Sequence, residues 1–97
     1  MKTSELTGAA LDREVAKCEG KPSWIMGFST EWEKGGPIIE REGLCLHRYK
    51  DSRPRLWSAT YSAQDLEYFG PTPLIAAMRC YVASKLGGEV NVPEGLA

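Results

Sequence analysis

The residues of this chain best suited to chemistry lie at two predicted helix starts. Gly35-Gly36-Pro37 opens "GGPIIEREG" (35–43), which carries Arg41. Gly70-Pro71-Thr72-Pro73 opens "GPTPLIAAMRCYVASKLGG" (70–88), which carries Arg79. The first turn of a helix leaves backbone N–H groups free, and glycine lets a ligand approach the chain closely. An arginine fork holds a phosphate through two parallel hydrogen bonds, and a nucleobase stacks on an indole ring such as Trp24, Trp32 or Trp57. Gly35, Gly36, Arg41, Trp24, Trp32, Trp57, Thr72 and Arg79 are therefore the candidate ligand-binding residues. The ligand they suit is small, anionic and nucleotide-like. Proline at the first helical position removes one donor from each start. In the plainer alternative, Gly and Pro only punctuate helices and the aromatics fill a thin core.

A second functional class fits the same composition. Trp, Tyr and Arg dominate binding hot spots, so the segment around 21–34, with Trp24 and Trp32, is a candidate surface for a protein partner. Catalysis is not expected. His47 is the sole histidine and falls in a predicted strand. No nucleophile elbow, phosphate loop, zinc helix or dinucleotide-binding turn is present, and no catalytic residue, metal or cofactor is assigned. Glu40 and Glu42 read as a solvated helix face. Cys18, Cys45 and Cys80 are odd in number and have no C-x-x-C spacing, which suggests free thiols in a reducing compartment.

Ninety-seven residues hold one domain, taken as 1–97. With 42% hydrophobic and 26% charged residues, the chain has an ordinary globular composition and is not wholly disordered. The net charge of −1 and pI near 5.8 argue against nucleic-acid binding. The one dense basic stretch, "HRYKDSRPR" (47–55), is interrupted by Asp51. No run approaches the roughly 18 apolar residues needed to cross a bilayer, and the first ten residues lack the apolar core of a secretion signal. A cytoplasmic location is expected, without membrane association. A homodimer or higher homo-oligomer is compatible with either functional class, because a small chain gains burial by pairing.

The elements that must position these residues form an α+β fold. A first helix is predicted from Ser4, or as late as Thr7, to Cys18, with Leu11, Val15 and Cys18 on one face and Asp12, Arg13, Glu14 and Lys17 mostly off it. Gly20 and Pro22 end it. Residues 21–36 have no clean period. They read as a loop, with room for one short strand, whose aromatics either return to the core or rim a pocket. Residues 35–43 read as one short helix with Gly36 as N-cap, Pro37 at the first position and Gly43 beyond the end. Residues 44–62 alternate as a β-hairpin turning at "KDSRP", with the return strand after Pro54. "EVNVP" (89–93) is the candidate third strand, and "SAQDLEYFG" a short connection of about one helical turn. The last helix starts at Thr72 and Pro73 and stops at Gly87-Gly88. Leu74, Met78, Tyr81, Val82 and Lys85 form its stripe, with Ile75 and Leu86 beside it, and Arg79, Ala76 and Ala83 on the far side. The expected architecture is two main helices packed on one face of a small antiparallel sheet of two or three strands, plus one short helix.

Three segments together resemble a known family. "SELTGAALD", "EVAKCEG", "GGPIIEREG" and the run from Gly70 through "VPE" are similar to the NinX-type proteins of lambda-like phages and prophages. The resemblance covers roughly the first twenty residues, the Gly-Gly-Pro segment and nearly everything from Gly70. It implies a phage origin, a cytoplasmic setting and an accessory early gene of the kind that acts on host defences or host enzymes, with no established activity; under it, the protein partner of the second class is a host or phage protein. Two departures stand out. Arg13 occupies a position where members usually carry an aromatic, and the stretch before "GGPIIEREG" is shorter than usual, which points to a smaller or differently tuned pocket.

Overall fold

The computed structural model describes residues 1–49 and 56–92. A 3₁₀ turn at Thr3–Glu5 leads into helix α1, Gly8–Cys18, with Thr7 as N-cap. Ser4 therefore lies in the preceding turn, and the later of the two expected starts is the one observed. Helix α2 is Trp32–Glu42, followed by the strands β1, Cys45–Tyr49, and β2, Leu56–Tyr61. A second 3₁₀ turn, Ser62–Gln64, precedes strand β3, Leu66–Gly70, and helix α3, Pro73–Leu86. The strands form an antiparallel meander in the order β1-β2-β3. Among the described residues the fold is α+β, with a three-stranded sheet and three α-helices.

The register puts Leu46, Ala59 and Tyr68 side by side across the sheet. Trp57, Tyr61 and Leu66 join that face and pack against the core. α3 lies on it. α1 and α2 pack principally on α3, which itself carries the main contact with the strands. α3 is thus a middle layer, and its burial follows: Leu74, Met78, Tyr81 and Val82 are buried, and so are Ala76, Ala77, Cys80 and Ala83. The far side expected to present Ala76, Ala83 and Arg79 to a partner is instead largely occupied: Ala76 and Ala83 are buried, the end of β3 at Gly70 packs against Ala76, and Arg79 bonds the Leu6 and Phe69 carbonyls. A small side chain at Ala76 lets β3 and α3 approach closely. No helix among the described residues is long and apolar enough to cross a membrane.

The remaining expectations divide. The third strand is 66–70, not 89–93. Asp65 adopts a left-handed conformation (φ 53°) that turns the chain into β3, and half-buried Leu66 and Tyr68 then alternate with exposed Glu67 and Phe69. Residues 89–92 instead run beside the N-terminus: Lys2 bridges Glu89, and Met1 and Val90 exchange hydrogen bonds of 2.9 Å. The hairpin turn at 50–54 lies outside the described residues, but β2 begins after Pro54 as expected. Residues 21–31 form turns with no strand, and their aromatics divide: Phe28 is buried, while Trp24 is 73% exposed. Finally, Asp12 and Glu14 are buried on α1. The Asp12 carboxylate accepts hydrogen bonds from the Gly27 and Ser29 amides at 3.0 and 2.8 Å, which ties the loop to the helix.

α2 is also longer than the sequence implies. Glu31 is its N-cap, Gly35 and Gly36 lie inside it, and Pro37 interrupts its hydrogen bonding from within. Pro37 and Glu33 are both exposed, so water can serve the Glu33 carbonyl that the missing N–H leaves over. Gly43 at φ 70° ends the helix where expected.

Candidate ligand-binding clefts

The turn Gly70-Pro71-Thr72-Pro73 is a ridge with a cleft on each side. Gly70 makes the turn possible. A Cβ on it would stand 2.8 Å from the Ala76 amide nitrogen, so only glycine lets the end of β3 meet the first turn of α3. Thr72 caps α3 as expected, its Oγ1 accepting from the Ile75 N–H at 3.1 Å.

The first cleft, of about 500 Å³, opens between β3 and the middle of α3. Phe69, Glu67, Pro71, Leu56, Ser4 and Arg79 contribute to its lining. Arg79 is half-buried. Its Nε donates to the Leu6 carbonyl and its Nη1 to the Phe69 carbonyl, each at 2.7 Å. No carboxylate pairs with it among the described residues. Burial pulls its pKa below the usual arginine value. An arginine remains charged in proteins, so this cleft holds a fixed positive charge bonded to two carbonyl oxygens, with the Glu67 carboxylate elsewhere in its lining. The guanidinium offers more N–H donors than two carbonyls consume. Phe69, 39% exposed, supplies an aromatic surface beside it.

The second cleft, of about 260 Å³, separates the starts of α2 and α3 and is bordered by Ser29, Thr30, Trp32, Thr72, Pro73 and Ile75. Trp32 is 54% exposed. Gly35 sits behind the cleft, where a Cβ would come within 2.7 Å of the Leu74 Cδ2. Gly36 lies next to the Trp32 ring. Neither glycine is at a helix start: the Gly35 amide already donates to the Glu31 carbonyl at 3.0 Å. The anion site expected on free amides at Gly35-Gly36 is therefore absent, because the helix begins three residues earlier than Gly35.

Arg41 is remote from both clefts. Its fork is filled by Glu19, with Nη1 and Nη2 donating at 3.1 and 2.7 Å, and its Nε donates to Glu42 at 2.9 Å. Tyr81 donates to Glu19, Tyr61 reaches Glu42 at 3.4 Å, and Lys85 lies 3.8 Å from Glu42. Arg41 holds the Glu19 carboxyl below its ordinary range, while burial pushes the Tyr81 phenol up. This cluster joins three helices. Trp24 stands alone on the 21–31 loop, and Trp57 faces the core opposite Gly70; neither lines the two clefts. The structure thus puts Trp32 and Thr72 at one cleft and Arg79 at the other, keeps Gly35 and Gly36 in α2 outside the lining of either, and leaves Arg41, Trp24 and Trp57 apart. Phe69 and Ser29 escaped the sequence reading. An apolar Phe69 on the outward face masks the period of two over 66–70, and Ser29 had no signal.

A family model described as Bacteriophage P22, NinX matches residues 23–85. The chain belongs to the NinX family. The matched region holds α2, the whole sheet and α3 as far as Lys85, and so includes Trp32, Phe69, Thr72 and Arg79. α1 and the N-terminal segment that also resembles NinX lie outside it, as does Ser4 of the first cleft. No curated protein matches the chain.

Proposed function

We propose that this NinX protein acts by binding rather than by catalysis, and that it captures a small anionic, nucleotide-like ligand in the cleft beside Arg79. The observation that carries this reading is a half-buried guanidinium with no carboxylate partner among the described residues, on a cleft of about 500 Å³ and next to an exposed phenyl ring. A phosphate would neutralise that charge where water screens it poorly, and a base would lie on Phe69. The cleft volume suits a ligand of nucleotide size. In a phage protein working in the host cytoplasm, such capture would withdraw a signalling nucleotide from host defence.

The test is calorimetry with a panel of cyclic nucleotides and ADP-ribose derivatives, together with analysis of small molecules released on heating protein purified from infected cells. At least one panel member is expected to bind, with affinity falling about tenfold or more in Arg79→Lys, which loses the planar fork, and also in Phe69→Ala. Retention of none of them, or binding indifferent to both substitutions, sinks the reading.

A second reading has its own observation. Trp24 is 73% exposed and Trp32 54% exposed within one short stretch, which is unusual surface for large aromatics and suits a protein partner. A pull-down from infected cells that recovers a stoichiometric partner with the native chain, and loses it with Trp24→Ala/Trp32→Ala, would favour this class. Light scattering on the same preparation gives the oligomeric state, a homodimer being the expected form under either reading.

A further inference from the structure

The second cleft carries chemistry that the Arg79 reading does not use. α3 is 14 residues long and has no acidic residue in its first turn, so its positive pole is not offset by a carboxylate of its own. The Thr72 cap takes the Ile75 amide through Oγ1 and the Ala76 amide through its carbonyl. Pro73 has no N–H. The Leu74 amide is therefore the first-turn donor left over. α2 differs, because Glu31 stands at its N-cap and Glu33 in its first turn.

An observation independent of the helix end points the same way. Ser29 borders this cleft, is 2% exposed, and has a hydroxyl with no partner among the described residues. Its own backbone is fixed, since the Ser29 amide donates to Asp12 at 2.8 Å. A buried polar group without a partner is uncommon in a folded chain and calls for one. Trp32, Pro73, Leu74 and Ile75 give the cleft apolar walls, and no lysine or arginine lines it. A phosphate would bring two negative charges into a cleft that no lysine or arginine lines. A carboxylate brings one, and its two oxygens match the two donors.

We infer that the cleft between the starts of α2 and α3 binds a single carboxylate on a compact branched-aliphatic or aromatic body. The carboxylate accepts from the Leu74 amide and the Ser29 hydroxyl, and the body lies against Trp32. The group belongs either to a free small acid or to the last residue of a peptide, which present the same chemistry.

An amide NMR titration separates these cases, reading the Leu74 amide and the Trp32 indole with Trp24 and Trp57 as internal controls. The probes are isovalerate for the free acid, N-acetyl-leucine for the peptide end, and N-acetyl-leucinamide as the neutral counterpart. At least one acid is expected to shift both signals saturably in the millimolar range, with the amide about tenfold weaker or worse. Tighter binding of isovalerate assigns a free acid, and tighter binding of N-acetyl-leucine a peptide terminus. Ser29→Ala and Trp32→Ala should each weaken the acid; Trp32 is an exposed side chain, so that variant keeps the test readable through Leu74 if Ser29→Ala misfolds. Saturation by neither acid, equal binding of the neutral amide, or no loss in Trp32→Ala overturns the inference. The outcome is independent of nucleotide binding at Arg79.

Discussion

Arg41 and Arg79 look alike in the sequence, each a cation on a predicted helix near a Gly/Pro start. Their surroundings separate them. Arg41 is half-exposed and ion-paired at the surface, whereas Arg79 bonds two backbone carbonyls that belong to the N-terminal segment and to β3. Truncating Arg79 removes both charge-assisted bonds and leaves the Leu6 and Phe69 carbonyls short of a donor. Arg79→Ala is expected to destabilise by about 2–4 kcal/mol, and Arg41→Ala by about 1 kcal/mol or less, measured by urea unfolding. If both cost the same small amount, Arg79 is only a surface cation. This difference was not legible in the chain, because Leu6 lies 73 positions away from Arg79. The same holds for Asp12: a carboxylate on α1 reads as solvated until the loop amides of Gly27 and Ser29 fold over it.

At the scale of elements, α2 shows how tertiary contact overrides local punctuation. Gly-Gly-Pro signals a helix start, yet the helix runs through it. Gly35 is needed for a reason unrelated to starting a helix: a Cβ there would meet the Phe28 carbonyl oxygen at 2.5 Å and the Leu74 Cδ2 at 2.7 Å. Gly36 has only the Trp32 ring near it, at 3.9 Å. Gly35→Ala should therefore lower stability by about 1–3 kcal/mol through overpacking. Gly36→Ala should be neutral or gain up to about 1 kcal/mol from helix propensity. Thermal unfolding of the two variants compares them directly, and equal effects would mean that α3 does not pack closely on Gly35. The hairpin, the α3 cap and the stop at Gly43 were legible, since alternation, Thr-Pro and an αL glycine act locally. β3 was obscured because Phe69 faces outward at an exposed position, which masks the period of two.

Across the whole molecule, the Arg41–Glu19–Tyr81–Glu42 cluster links α1, α2 and α3, and it makes stability depend on pH at both ends. Glu19 is lowered from its ordinary 4.5, first by the Arg41 hydrogen bond. The unfolded chain thus takes up that proton at higher pH than the folded one. Its contribution is present above about 4.5 and is lost as pH falls through the folded value. Tyr81 is raised from its ordinary 10.0, first by burial and then by its hydrogen bond to Glu19. Its contribution is full below that value and is lost as pH rises beyond it. Urea unfolding across pH should show both declines, and Arg41→Ala should flatten the acid one. An unchanged acid limb in Arg41→Ala would remove Glu19 from that role.

The chain by itself determined the local matters: an α+β composition, the hairpin, the span and capping of α3, and membership in a family recognised by continuous stretches. Each depends on residues a few positions apart, where backbone geometry and the apolar period act directly. Only the tertiary structure decided that α3 is enclosed between sheet and helices, that Arg79 is held and Arg41 paired, and that the Gly-Pro-Thr-Pro ridge has a cleft on either side. Those outcomes depend on which distant groups meet once water is excluded. Charge, burial and hydrogen bonding acquire their values only in that packed arrangement.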